Sequence, residues 1–182
     1  MIRVALLAVI GALVVRVRRL ERMRLLDTKT GVLTFSSWEL LAARELARAR
    51  RDAVPVALLM LDIDGFKQVN DHAGHQRGDA VLRALGGCLG TVLRGYDLIG
   101  RFGGDEFVAL ITGIDEADAQ AIAHRLRERV AAECAVTVSI GVATTGRKDA
   151  RDVVLDELIS RADAALYAAK GSGGDRVTLA DH

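Results

Sequence analysis

From Asp27 onward the chain alternates between two hydrophobic rhythms. In "SSWELLAARELARARRD" (36–52) apolar residues recur at helical spacing, arginines take the other face, and serines stand where caps belong. That pattern predicts an amphipathic helix. "VPVALLMLDID" (54–64) is a nearly continuous apolar run ending in acids, as in a buried central strand. "GDAVLRALGGCLGTVLR" (78–94) reads as a second helix, and "DLIGRF" (97–102) and "EFVALIT" (106–112) read as strands joined through "GGD", a hairpin signal. A helix over 115–132, a strand over 135–145, a helix over 155–171 and a short strand over 175–180 complete the pattern. The order predicts one α+β domain over 27–182, with helices packed largely on one face of a sheet.

With 182 residues, 51% of them hydrophobic, the chain accommodates one such domain and an appendage. A net charge of +1 creates no global field for nucleic acid, which is not an expected partner. Cys88 and Cys134 lack ligand-type spacing and lie in apolar surroundings, so they are expected as buried free thiols of a reducing compartment.

Residues 1–26 follow a different pattern. "VALLAVIGALVV" (4–15) has no polar side chain, and the arginine-rich "RVRRLERMR" (16–24) follows it. A bilayer-crossing helix needs about 20 apolar residues, and this run falls short even with Arg3 and Arg16 reaching outward. It also lacks the cleavage site and strongly basic leader of a signal peptide. A short membrane anchor, the stump of a longer membrane protein and a helix packed in a dimer all fit. Membrane contact through 4–15 is the favoured expectation. The arginines would then hold the domain at the cytoplasmic face of the inner or plasma membrane; without insertion the protein is cytoplasmic.

Candidate chemistry starts at "RFGGDEFVAL" (101–110), where two glycines adjoin Asp105 and Glu106. Glycine permits the positive φ of a two-residue hairpin turn, and a hairpin tip lets backbone approach a ligand. Alone, "GGD" also fits a solvated turn. A second acidic cluster, Asp62 and Asp64 at the end of the apolar run, shifts the balance. Carboxylates there are costly unless solvated, paired or bound to metal. If the strand neighbours the hairpin, Asp62 and Asp105 converge. Two carboxylates and a backbone carbonyl suit a hard cation such as Mg²⁺. Such ions activate an attacking hydroxyl and neutralise a leaving pyrophosphate, so the spacing points to phosphoryl or nucleotidyl transfer.

"RFGGDEF", with "LDIDGFKQVNDHAGHQRGD" upstream, resembles the GGDEF family of diguanylate cyclases from about Asp27 to Val177. The resemblance implies a fold like the nucleotidyl-cyclase and polymerase palm, a mostly antiparallel central sheet flanked by helices. It implies condensation of two GTP into cyclic di-GMP with release of two pyrophosphates, by a homodimer in which each subunit presents one GTP. It implies two Mg²⁺ per active site, with Mn²⁺ as an alternative ion, held by Asp62, the Ile63 carbonyl and Asp105. Glu106 would assist the metal or accept the ribose 3′-hydroxyl proton. Phe66 and Lys67 would meet the triphosphate, with Lys67 stabilising charge as the bond breaks, and Lys170 keeps a substrate-contacting position. Asp64 reads as a strand-end residue making local hydrogen bonds, and Phe66 also suits core packing.

Asp79 would accept from guanine N1–H and the exocyclic amine, with Asn70 as the partner amide and His75 nearby. Asp79 as a helix N-cap is the plainer alternative, and both roles are compatible. "RGYD" (94–97) stands at the offset of the family's RxxD inhibitory site, where Arg94 and Asp97, joined by Arg125, would bind the product. A surface ion pair is the alternative there.

Four positions depart from the family pattern. In "DTKTGVLTF" (27–35) Lys29 replaces leucine, Thr34 asparagine and Phe35 arginine. In "AAKGSGGD" (168–175) Gly174 stands where a phosphate-binding arginine belongs, with Arg176 two residues on. An active cyclase with product feedback and a catalytically weak receptor for cyclic di-GMP or GTP therefore compete.

Overall fold

The computed structural model describes residues 25–146 and 154–181. The apolar segment at 4–15 and its arginine cluster at 16–24 lie outside them. Among the described residues no helix is long and apolar enough to cross a membrane.

After a turn at Asp27–Gly31 the chain forms β1 (Leu33–Thr34), α1 (Phe35–Asp52), β2 (Val56–Ile63), α2 (Phe66–Ala73) and α3 (His75–Val92). The hairpin β3 (Leu98–Arg101) and β4 (Glu106–Thr112), then α4 (Glu116–Glu133), β5 (Val138–Thr144), α5 (Leu155–Gly171) and β6 (Val177–Leu179) follow. The sheet order is β1-β3-β4-β2-β5-β6. The three inner pairings are antiparallel, and the two edge pairings, β1 with β3 and β5 with β6, are parallel. This is the mixed, mostly antiparallel sheet expected.

Helices cover both faces, not largely one. Ala57, Leu59 and Leu61 of β2 pack with Leu85 of α3 and Leu126 of α4. Val56, Leu58 and Met60 point the other way, onto Trp38 of α1 and Leu158 of α5. The absence of alternation in β2 is the physical reason, since apolar residues of both parities need cover. On the α1/α5 face the helices approach closely. A Cβ on Gly141 of β5 would lie 2.1 Å from the Ala162 carbonyl oxygen and 2.3 Å from the Leu166 nitrogen.

Helix starts also differ from the sequence expectation. Thr34, not a serine, precedes α1, and its hydroxyl donates to Ser37 Oγ at 2.9 Å. Helix α3 begins at His75 after Gly74, so Asp79 lies in its second turn and is not its N-cap. The short α2 was not anticipated; its eight residues are too few for a periodic signal. Cys88 and Cys134 are free and buried as expected, with their sulfurs 3.4 Å apart. Burial pushes the Cys88 thiol up to about 12.

Candidate active site

The register of β2 against its neighbours puts the acids together. Asp62 pairs with Glu106 of β4 on one side and Ser139 of β5 on the other. Both acids lie on the α1/α5 side of the sheet, because Leu61 and Phe107 beside them are buried on the opposite side. Directly opposed side chains of like charge repel. Asp105 adds a third acid at the tip, where its carbonyl accepts from the Ile63 N–H at 3.4 Å.

The tip itself is not the two-residue, positive-φ turn read from the sequence. Four residues, 102–105, separate β3 from β4. Neither Gly103 nor Gly104 has positive φ, whereas Gly65 and Gly74 on the neighbouring segment do. Gly103 is needed for close approach: a Cβ there would lie 2.4 Å from Glu106 Oε2. Around a Cβ position on Gly104 there is open space. Arg101 Nε holds the tip by donating to the carbonyls of Gly103 at 3.1 Å and Gly104 at 3.2 Å. Its Nη1 pairs with the Asp27 carboxylate at 3.1 Å, tying the tip to the first turn of the domain. Burial pushes Asp27 up, but the Thr30 hydroxyl and Arg101 outweigh it and hold the carboxyl below its usual range.

One ammonium sits among the acids. Lys170, from the last turn of α5, donates to Asp62 Oδ1, lies 3.4 Å from the Ile63 carbonyl oxygen and 3.7 Å from Asp64 Oδ1. Burial raises the Asp62 pKa, helped by Asp105 and Asp64 and opposed by Lys170. Burial also raises Glu106, reinforced by Asp62, Asp105 and Asp163. Among the described residues no three acid, histidine or cysteine groups converge tightly on one point. A set of two carboxylates and a carbonyl does not require that. The Asp62 carboxylate and Ile63 carbonyl already attract the Lys170 cation, and these oxygens are the hard donors that Mg²⁺ takes. The donor set therefore fits a divalent metal.

Asp64 makes structural hydrogen bonds, but not the local ones expected of a strand-end residue, since its partners come from β5, the residue before it and the loop after α5. It accepts from Thr137 Oγ1 at 2.8 Å, Ser139 Oγ at 2.7 Å and the Asp175 N–H at 2.9 Å. That last bond fixes the glycine loop after α5. Gly174 has φ +74, and a Cβ on it would lie 3.0 Å from Asp64 Oδ1. Arg176 folds back onto this loop through Nε and the Gly174 carbonyl at 3.1 Å.

The second group lies on α2 and α3. Phe66 is partly buried against the core, Lys67 and His75 are exposed, and Asn70 is half-buried. Asn70 and Asp79 are neighbours through Gly78, whose Cβ would lie 2.0 Å from Asn70 Oδ1. Asp79 pairs with Lys29 at 2.6 Å, and this hydrogen bond holds its carboxyl below the usual range. Sequence reasoning noticed Lys29 only as a departure and missed Arg101 and Asp27 as site residues. Partners 74 and 50 residues apart leave no local pattern.

The third group lies beyond the other end of β3. Arg94, Asp97 and Arg125 line one cleft of about 180 Å³, with Ile114, Asp118 and Ile122. Asp97 Oδ2 accepts from the Arg94 N–H at 2.7 Å, while its buried Oδ1 has no partner among the described residues. Burial raises the Asp97 pKa. Arg94 donates to the Tyr96 hydroxyl at 2.9 Å, and Arg125 reaches the Val92 carbonyl at 3.4 Å.

Comparison with known proteins gives a consistent picture. The family model "Diguanylate cyclase, GGDEF domain" matches residues 24–176. The chain is 36% identical to the probable diguanylate cyclase DgcC of Escherichia coli K12 over 170 residues, covering 90% of this chain and 45% of that protein. It is 37% identical to the diguanylate cyclase DgcP of Pseudomonas aeruginosa over 164 residues, covering 86% of this chain and 24% of the relative. The chain thus spans less than half the length of these curated relatives. The crystal structure of the GGDEF domain of DgcB from Caulobacter crescentus in complex with c-di-GMP superimposes with a TM-score of 0.80 at 29% identity, covering 86% of this chain and 95% of that one.

Proposed function

Since the chain belongs to the GGDEF family of diguanylate cyclases, we propose that it condenses two GTP into cyclic di-GMP and releases two pyrophosphates, as a Mg²⁺-dependent homodimer. The observation that carries this reading is the register pair Asp62–Glu106 at the strand end, with Asp105 on the adjoining tip and the Lys170 ammonium among them. Opposed carboxylates cost stability and make sense where cations are bound. The cyclic di-GMP in the DgcB structure supports the product assignment.

Asp62, the Ile63 carbonyl and Asp105 would hold the metal. Bound there, it supplies Lewis acidity toward the ribose 3′-hydroxyl and the triphosphate. The residues do the rest. Glu106 lies on the same face as Asp62, and burial raises its affinity for a proton, which suits it to accept the 3′-hydroxyl proton. The exposed Lys67 ammonium follows the triphosphate and balances charge as the leaving pyrophosphate departs. Phe66 fixes the start of α2 by packing its ring into the core while the backbone faces phosphate. Lys170 exchanges its carboxylate partner for a phosphate oxygen when GTP enters. Asn70 and Asp79 read guanine, with His75 at the adjoining start of α3. One site holds one GTP, and two phosphodiester bonds must form, so a second copy of the chain presents the second nucleotide. The Arg94, Asp97 and Arg125 cleft takes the product as inhibitor. GTP places the reaction in the cytoplasm, with residues 4–15 contributing membrane contact.

Asp62→Asn and Asp105→Asn each remove a charged metal ligand and are expected to abolish synthesis of cyclic di-GMP while leaving circular dichroism unchanged. Near-native synthesis by either variant would overturn the metal assignment.

A second reading, a catalytically weak receptor, draws on the Gly174 loop. The positive φ at Gly174 and the Asp64 carboxylate 3.0 Å from a Cβ there would strain an arginine at this position. In that case wild type binds cyclic di-GMP without making it, and Arg94→Ala loses the binding.

A further inference from the structure

Lys29 stands in a place built to hold it. Asp27 Oδ1 accepts from the N–H groups of Lys29 at 3.2 Å and Thr30 at 3.0 Å, and from the Thr30 hydroxyl at 2.7 Å. Gly31, with φ +75, closes the turn by donating to the Asp27 carbonyl at 2.8 Å. Thr30 is buried, and its carbonyl oxygen lies only 2.3 Å from where a Cβ on Gly86 would be. The turn is therefore seated on α3, seven residues or about two helical turns beyond Asp79. From this fixed position the Lys29 ammonium donates to Asp79 Oδ1 at 2.6 Å. Isolated exposed pairs contribute little and their long side chains wander. This one has both backbones anchored and joins the chain's first turn to the carboxylate read as the guanine acceptor.

Guanine presents three groups on its pairing edge: the acceptor O6 and the donors N1–H and N2–H₂. A carboxylate only accepts, so Asp79 answers the two donors and has lone pairs left for the ammonium. O6 then lies on the side where a donor is needed. Asn70 carries both a donor and an acceptor and does not discriminate by charge. Lys29 carries donors only. Adenine puts an amine at the same carbon, and an ammonium cannot accept from it.

We propose that Lys29 is a second specificity-determining residue of the nucleotide site, donating from its ammonium to the 6-oxo group of guanine while Asp79 receives the N1 and N2 hydrogens. This rests on the GTP-binding reading above.

The test is calorimetric titration of the full chain with 3′-deoxy-GTP, which cannot react, its 6-thio analogue and 3′-deoxy-ATP. The thio analogue keeps both donors but replaces O6 with a weakly accepting sulfur. Wild type is expected to bind 3′-deoxy-GTP about tenfold more tightly than the thio analogue, the size of one charge-assisted hydrogen bond. Lys29→Met is expected to bind the two equally, at the weaker level, and to lose part of its preference over 3′-deoxy-ATP. Lys29→Arg, which keeps the donor, restores the difference. An unchanged guanine-to-thioguanine ratio in Lys29→Met would reduce the pair to a surface contact and overturn the proposal. Tighter binding of all three nucleotides by Lys29→Met would also overturn it, because Lys29 would then be an obstacle before Asp79. If wild type binds no 3′-deoxy-GTP, the GTP-binding reading itself fails, and this proposal with it.

Discussion

Asp62 and Glu106 meet across two paired strands, where like charges ordinarily destabilise a sheet. Their protonation follows from that. Glu106 binds its proton more tightly in the folded chain than in the unfolded one, because burial and then Asp62 and Asp105 disfavour its charge. Its effect on stability is therefore unfavourable at neutral pH, and is relieved as pH falls through the raised pKa toward the ordinary glutamate value of about 4.3. In chelator at pH 7, Glu106→Gln is expected to raise Tm by about 2 °C. The gain should shrink as the buffer approaches pH 4. A thermal melt series in both proteins reads this, and a gain that grows on acidification would contradict the sign. At this scale the acids were legible because they interrupt an apolar run that has no other reason to stop. Arg101–Asp27 and Lys29–Asp79 were not, because each pair forms only when the first turn folds onto later elements.

Elements aim these residues. Helix α5 carries Lys170, and its backbone rests on β5 at Gly141, where no side chain fits. Gly141→Ala forces the helix away from the strand, at a cost of about 3 kcal/mol. It is expected to lower the urea midpoint accordingly and to reduce turnover, since Lys170 retreats from Asp62. A stable, fully active variant would show that α5 does not position Lys170. Helix α5 and strands β2 and β4 could be read from apolar spacing alone. The tip between β3 and β4 could be located, but its glycines were misread. Their role is to admit the Glu106 carboxylate at Gly103 and leave space at Gly104, and neither leaves a sequence signature different from a tight turn. The short α2 escaped because it has only Phe66 and Val69 to pack.

At the scale of the whole molecule, β3 joins two separate groups of functional candidates. The acidic tip lies at one end, and Arg94 and Asp97 precede the other, roughly 13 Å of strand away. A ligand in the Arg94 cleft does not occupy the acidic site. Arg94→Ala is expected to relieve product inhibition of an active enzyme while keeping the initial rate within about twofold, since a distinct site is altered. Calorimetry with cyclic di-GMP alongside rate measurements checks this, and equal product affinity in both proteins would leave "RGYD" a structural turn, closed by the Arg94 N–H on the Asp97 carboxylate. The order of elements revealed the sheet and its helices, but not the two-sided cover, which depends on how the helices between strands cross the sheet. The central claim is that this arrangement makes cyclic di-GMP. The most direct measurement incubates the purified full chain with GTP and Mg²⁺ and quantifies nucleotide product and pyrophosphate together. Cyclic di-GMP with two pyrophosphates per molecule is the result expected, and GTP that is bound yet yields no cyclic di-GMP would contradict it.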